Sequence, residues 1–233
     1  DEDRNPLIRD FVPLAGLDDL VFGGWDPISA NVLEAARTCG VLEERDLAPL
    51  SAELEGIVAM DAVFDQRWVK KLDGARVKPA TSKWDQAQAL VEDIERFRSE
   101  NDCERLVMVW CGSTEAYQEP SAVHASVESF ETGLRSGDEN ISPSQIYAYA
   151  ALVSEVPFAN GAPNLAVDVP CMLELAAQRG VPIAGKDFKT GQTLMKTLLA
   201  PGLKARMLGL RGWYSTNILG NRDGEVLDDP ENF

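Results

Sequence analysis

The chain has 233 residues, a hydrophobic share of 45% and a formal net charge of −16. That is enough for one large domain or two modest ones, and the acidity opposes nucleic acid and anionic membrane surfaces. No apolar run reaches the ~18–20 residues of a membrane helix, the opening Asp1-Glu2-Asp3-Arg4 is not a secretory leader, and four cysteines without a CxxC pair argue against a metal site and for a reducing, cytoplasmic setting.

In chain order, Leu20-Val21-Phe22 reads as a short buried strand ending at Gly23-Gly24-Trp25-Asp26. Residues 29–36 have helical character, with Ser29 suited to the N-cap and Gly40 to the close. Residues 56–61 read as the next strand. Residues 84–100 form the clearest helix, with Trp84, Ala87, Leu90, Val91, Ile94 and Phe97 recurring at intervals of three and four. Residues 105–110 then make a strand almost without alternation, the pattern of a sheet covered on both faces. Ser142-Pro143-Ser144 caps a helix running to about Glu155. Residues 156–160 are a strand, 170–178 a helix stopped by Gly180, and 181–184 a further strand. Thr190 or Thr193 caps a helix to about Ala200, and residues 203–210 form a strand of less parallel character.

Strands alternating with helices imply parallel crossovers and a three-layer α/β core, helices covering both faces of the sheet. Four polar turns lie at the carboxyl ends of the expected strands: Gly23-Gly24-Trp25-Asp26, Cys111-Gly112-Ser113-Thr114, Asn160-Gly161-Ala162-Pro163-Asn164 and Lys186-Asp187-Phe188-Lys189. In open α/β sheets that edge binds ligands. Two segments are richest in acids, amides, cations and glycines: Gly185-Lys186-Asp187-Phe188-Lys189-Thr190-Gly191-Gln192-Thr193, and Asn217-Ile218-Leu219-Gly220-Asn221-Arg222-Asp223-Gly224. They suit a small, oxygen-rich ligand. Neither GxGxxG nor GxxxxGK[ST] follows a strand.

These motifs, in this order and across nearly the whole chain, resemble the inositol-phosphate synthase family; the last two are the specific ones. The resemblance implies a Rossmann-like NAD-binding domain over residues 1–193 and, over 194–233, the start of an α+β domain for catalysis and assembly. It implies NAD as cofactor, glucose 6-phosphate as substrate, a cytoplasmic homotetramer, and an isomerisation without net redox that gives myo-inositol phosphate. Family members carry a glycine-rich NAD loop upstream and catalytic lysines downstream, so this chain is expected to correspond to the middle of such an enzyme and to be inactive alone.

By the same resemblance, Asp187, Lys189, Asn217, Asn221 and Asp223 serve catalysis. Asp26, Cys111, Gly112, Ser113, Thr114, Gly161, Ala162, Asp187, Thr190, Asn221, Arg222 and Asp223 line the cofactor. Bland alternatives stand beside these: Asp187 and Thr190 as helix caps, Lys189 as a solvated cation, residues 221–224 as a tight turn. Cys111 is expected to be packed, and His124, the single histidine, to lie at the surface, so no histidine triad is expected. A degenerate Rossmann-fold binding protein and a sugar or polyol dehydrogenase are the other readings.

Overall fold

The computed structural model describes residues 6–188 and 192–214. Helix α1, Val32–Cys39, starts two residues later than the Ser29 cap implied. Asn31 accepts from the Glu34 amide at 2.9 Å while the Glu34 carboxylate accepts from the Asn31 amide at 3.1 Å, a reciprocal cap that Ser29 has no partner to build. Gly40 ends the helix at φ 63°, as its position implied. Short helices α2, Glu44–Leu47, and α3, Ser51–Gly56, follow.

Leu20, Val21 and Phe22 are exposed and form no strand. The pairing begins further on, as a single parallel bridge between Trp25 and Met60, with the Asp26 amide donating to the Met60 carbonyl at 3.1 Å. Residues 56–61 contribute bridges rather than a continuous strand.

Helix α4, Lys83–Glu100, opens on Ser82, whose hydroxyl accepts from the Asp85 amide. Its buried residues include Ala87, Leu90 and Ile94, the stripe its periodicity specified. Strand β1, Met108–Trp110, leads to α5, Val127–Ser136, a helix hidden in the sequence by its polar composition. Helix α6, Pro143–Val153, begins at Ser142 and is buried from Pro143 through Leu152, an apolar cylinder enclosed on all sides. Strand β2, Phe158–Asn160, helix α7, Pro170–Arg179, and strand β3, Ile183–Ala184, complete the βαβ series.

The three strands are parallel in the order β1-β2-β3, with Met108 beside Phe158 and Phe158 beside Ile183. Successive parallel neighbours are joined by helical crossovers, α5 and α6 between β1 and β2 and α7 between β2 and β3, and the core lies on the face of β1 that carries Met108 and Trp110. There α6 packs against β2, α4 and α7, and α5 against α4 and α7. Leu90, Phe130, Leu134, Ile146, Phe158 and Met172, each at most 1% exposed, form the centre of the core. Fully burying such side chains stabilises by roughly 1.5–3 kcal/mol each. On the opposite face Val107 and Val109 are 65% and 47% exposed, so among the described residues that side of β1 is uncovered, where the unbroken apolar run suggested cover.

Helix α8, Gln192–Ala205, runs through Pro201. Thr193 lies inside it and so does not cap it; Thr190 lies outside the described residues. The strand expected over 203–210 is instead the helix end. Met207 takes φ 52°, its amide donates to the Lys204 carbonyl at 3.0 Å, and the Leu208 amide reaches the Leu203 carbonyl at 2.9 Å. These two bonds close the last turn as a left-handed cap. Helix α6 ends the same way at Glu155, φ 57°, and α7 at Gly180, φ 66°.

Candidate functional site

The turns after β1, β2 and β3 share one edge of the sheet. The Gly161 amide donates to the Trp110 carbonyl at 2.9 Å, joining the second turn to the end of β1. The Asp187 amide donates to the Ala162 carbonyl at 3.1 Å, and the Phe188 amide to the Gly161 carbonyl at 3.3 Å, joining the third turn to the second. Gly161 is required here: a Cβ would lie 2.6 Å from the Phe188 ring and 2.7 Å from the Trp110 carbonyl oxygen. Gly185 is required too, since at φ 126° a Cβ would lie 2.7 Å from the Asn160 carbonyl oxygen.

Asn160, fully buried, ties its own turn together. Its Nδ2 donates to the Asn164 carbonyl at 2.7 Å and its Oδ1 accepts from the Ala162 amide at 3.1 Å. Asp26 reaches the same edge through a series of rings. Trp25 packs edge-on against Tyr147 at 5.3 Å between centroids, and Tyr147 lies 5.2 Å from Trp110. Trp25 is held by Asp93, whose Oδ2 accepts from its indole nitrogen at 2.7 Å and from Lys78 Nζ at 2.6 Å. Burial alone would raise the Asp93 carboxyl, but Lys78, Trp25 and Arg96 outweigh it and hold it below the usual carboxylate range. Asp26 itself is exposed, and its Oδ1 accepts from the Ile28 amide at 2.7 Å.

Of the expected site residues, the structure brings Asp26, Gly112, Ser113, Thr114, Gly161, Ala162 and Asp187 to this edge. Asp187 is exposed at φ 63°. Ala162 is buried, with its carbonyl taken by Asp187. Cys111, expected to be packed, is exposed, because β1 ends at Trp110 and the cysteine begins the turn beyond the helical cover. Lys189, Thr190, Asn217, Asn221, Arg222 and Asp223 lie outside the described residues.

Two further residues at this edge are buried: Glu115, which the sequence reading gave no role, and His124, which it placed at the surface. Glu115, directly after the first turn, is 7% exposed. Its carboxylate accepts from the Ser144 amide at 2.8 Å and the Ser144 hydroxyl at 2.6 Å, and its own amide donates to Asn164 Oδ1 at 3.0 Å. Burial pushes its carboxyl above the ordinary value, with the Ser144 bonds pulling the other way. His124 is 2% exposed rather than at the surface. Its Nδ1 accepts from the Ser121 amide at 3.0 Å, so Nε2 carries the proton and donates to Gln145 Oε1 at 3.1 Å. A lone histidine in a polar stretch gave no sign of this, because Gln145, which receives it, lies 21 positions away.

Beneath the first turn lies a cavity of about 120 Å³ lined by Trp68, Thr114, Glu115, His124, Gln145 and Asn164. Cofactor pockets span roughly 300–1,000 Å³, so this cavity is too small to enclose a dinucleotide. The edge has the chemistry for one. Trp110 Nε1 and Asn164 Nδ2 are buried donors without a partner among the described residues. The carboxylates of Asp26 and Asp187 can accept from ribose hydroxyls. Among the described residues no group of histidine, cysteine and acid side chains could hold a metal.

Residues 1–219 match an NAD-binding family model described as Myo-inositol-1-phosphate synthase. The whole chain is 52% identical to Inositol-3-phosphate synthase 1 of Bacteroides thetaiotaomicron, covering 54% of that protein. It is 32% identical to Inositol-3-phosphate synthase of Citrus paradisi, over 97% of this chain and 45% of the other. The fold matches the crystal structure of inositol-3-phosphate synthase from Caenorhabditis elegans with a TM-score of 0.85 at 26% identity, over 96% of this chain and 44% of that one. The chain spans about half the length of the curated relatives it matches. The Rossmann-like fold and NAD as the cofactor of this domain both agree with the reading of the sequence.

Proposed function

The chain belongs to the myo-inositol-1-phosphate synthase family, and from that premise we propose that the whole protein converts glucose 6-phosphate to myo-inositol phosphate. The reaction is an isomerisation. C5 is oxidised, the new ketone acidifies C6, loss of a C6 proton gives an enolate that closes on the C1 aldehyde, and C5 is reduced again. NAD takes the hydride in the first step and returns it in the last.

In this reading residues 1–193 form the cofactor domain and residues 194–233 begin the catalytic and assembly domain of a cytoplasmic homotetramer. The turns of Asp26, Gly112 to Thr114, and Gly161 with Ala162 hold the dinucleotide. Asp187, on the last turn of the edge, works next to the nicotinamide and ribose in proton relay. Lys189, Asn217, Asn221 and Asp223 complete the substrate side, with Thr190 and Arg222 on the cofactor. The observation that supports the reading most is the stapling of three polar turns along one strand edge, ending at Asp187.

The test is turnover of glucose 6-phosphate by the whole protein with NAD, followed by phosphorus NMR for inositol phosphate and by absorbance for NADH. Inositol phosphate should form without net NADH; NADH accumulating with substrate would refute the isomerase in favour of a dehydrogenase. Asp187→Asn keeps the shape of a residue that tolerates a left-handed backbone. It should lower kcat about 10²-fold or more, with melting temperature unchanged.

A further inference from the structure

We infer that Glu115 is a positioning residue for the cofactor edge: by gripping the first turn of α6 with its side chain and Asn164 with its backbone, it sets the spacing between the turns 111–114 and 161–164. This rests on the NAD-binding reading of that edge.

The geometry makes Glu115 a junction of three elements. Its carboxylate takes both donors of Ser144, the residue after Pro143 at the start of α6. Ser144 is fully buried, and its hydroxyl is steadied by Ser142 Oγ at 3.0 Å. The Glu115 amide donates to Asn164 Oδ1. From Asn164 the connection continues through its carbonyl to Asn160 Nδ2, and through Asn160 Oδ1 to the Ala162 amide. The Ala162 carbonyl then receives the Asp187 amide. One unbroken path of hydrogen bonds thus runs from the start of α6 to the first, second and third turns. Helix α6 is buried from Pro143 through Leu152, which suits it as an anchor.

Burying an acid for this purpose costs stability unless its bonds offset it. The N-terminal end of a helix is where a carboxylate is best tolerated, since the unpaired amides and the helix dipole face it. A neutral side chain could fill the space, but an alanine leaves the Ser144 amide buried and unpaired and its hydroxyl with Ser142 Oγ alone. The turn 111–114 would then lose its side-chain link to α6 and keep only the backbone bond to Asn164, while the sheet itself stays paired.

The experiment uses the whole protein, measuring NAD affinity by titration calorimetry alongside the melting temperature, well below melting. Glu115→Ala should weaken NAD binding about tenfold or more, the loss expected for a charge-assisted bond. Glu115→Gln keeps one acceptor for the Ser144 amide and should restore affinity to within about threefold of wild type. Glu115→Ala that melts lower but binds NAD like wild type overturns the positioning role and leaves a purely structural one. Glu115→Gln as weak as Glu115→Ala also overturns it in this form. Should Glu115→Ala fail to fold, Ser144→Ala removes only the hydroxyl donor and should weaken NAD binding about threefold; unchanged affinity overturns the proposal. Wild-type protein without NAD affinity sinks the cofactor reading as well, whereas wild-type affinity with indifferent variants sinks the positioning role alone.

Discussion

Glu115 is held by opposing forces: burial disfavours its charge while two donors of Ser144 and the start of a helix favour it, and burial prevails. The sign of the consequence is fixed. A carboxyl whose pKa is higher folded than unfolded gives stability that is fully present below the unfolded value and is lost as pH rises through the folded one. The melting temperature of wild type should therefore fall relative to that of Glu115→Gln as pH rises above the usual carboxylate range. Parallel melting curves across that range would show that the side chain is not desolvated. Asp93 behaves in the opposite sense, because Lys78, Trp25 and Arg96 hold it ionised; its contribution is lost as pH falls. At this scale the sequence was a partial guide. Asp26 and Asp187 stood out as acids in glycine-punctuated turns, whereas Glu115 and His124 depend on Asn164, Ser144 and Gln145, partners 21 to 49 positions away. Contacts of that range leave no local pattern to read.

At the scale of elements, helices were more legible than strands. Periodicity over 18 residues in α4 and the Ser142-Pro143 cap of α6 are local signals, while a strand exists only where a partner does. Leu20 to Phe22 has strand composition but is exposed and unpaired as a strand, and residues 203–210 begin inside a helix that continues through Pro201 to Ala205. Helix α5 shows the limit of propensity as well. Gly133 lies inside it, where alanine would gain about 1 kcal/mol of helix preference. A Cβ there would lie 2.2 Å from Val123 Cγ2 and 3.0 Å from Ile141 Cδ1, both in the core. Overpacking of that kind costs about 1–3 kcal/mol, so steric conflict wins. Gly133→Ala should lower stability in urea unfolding, and a rise in the midpoint would refute the close packing of α5 against the segment before it.

For the molecule as a whole, the α/β rhythm and the polar strand edge were readable because each βα turn carries a glycine beside hydroxyl, amide or charged side chains. The open face of β1 was not, since an apolar strand looks the same whether or not anything covers its second side. The enclosure of α6 has a consequence for amide exchange. First-turn amides of a helix ordinarily trade hydrogen with solvent quickly, because nothing within the helix bonds them. Here Pro143 has none to trade, the Ser144 amide is bound to Glu115, and the Gln145 amide faces Ser142 Oγ, all out of solvent. In deuterated water the Ser144 amide should therefore exchange as slowly as the middle of α6, only through opening of the whole domain. Rapid deuteration at Ser144 beside a protected Ala150 would mean that the start of α6 opens by itself.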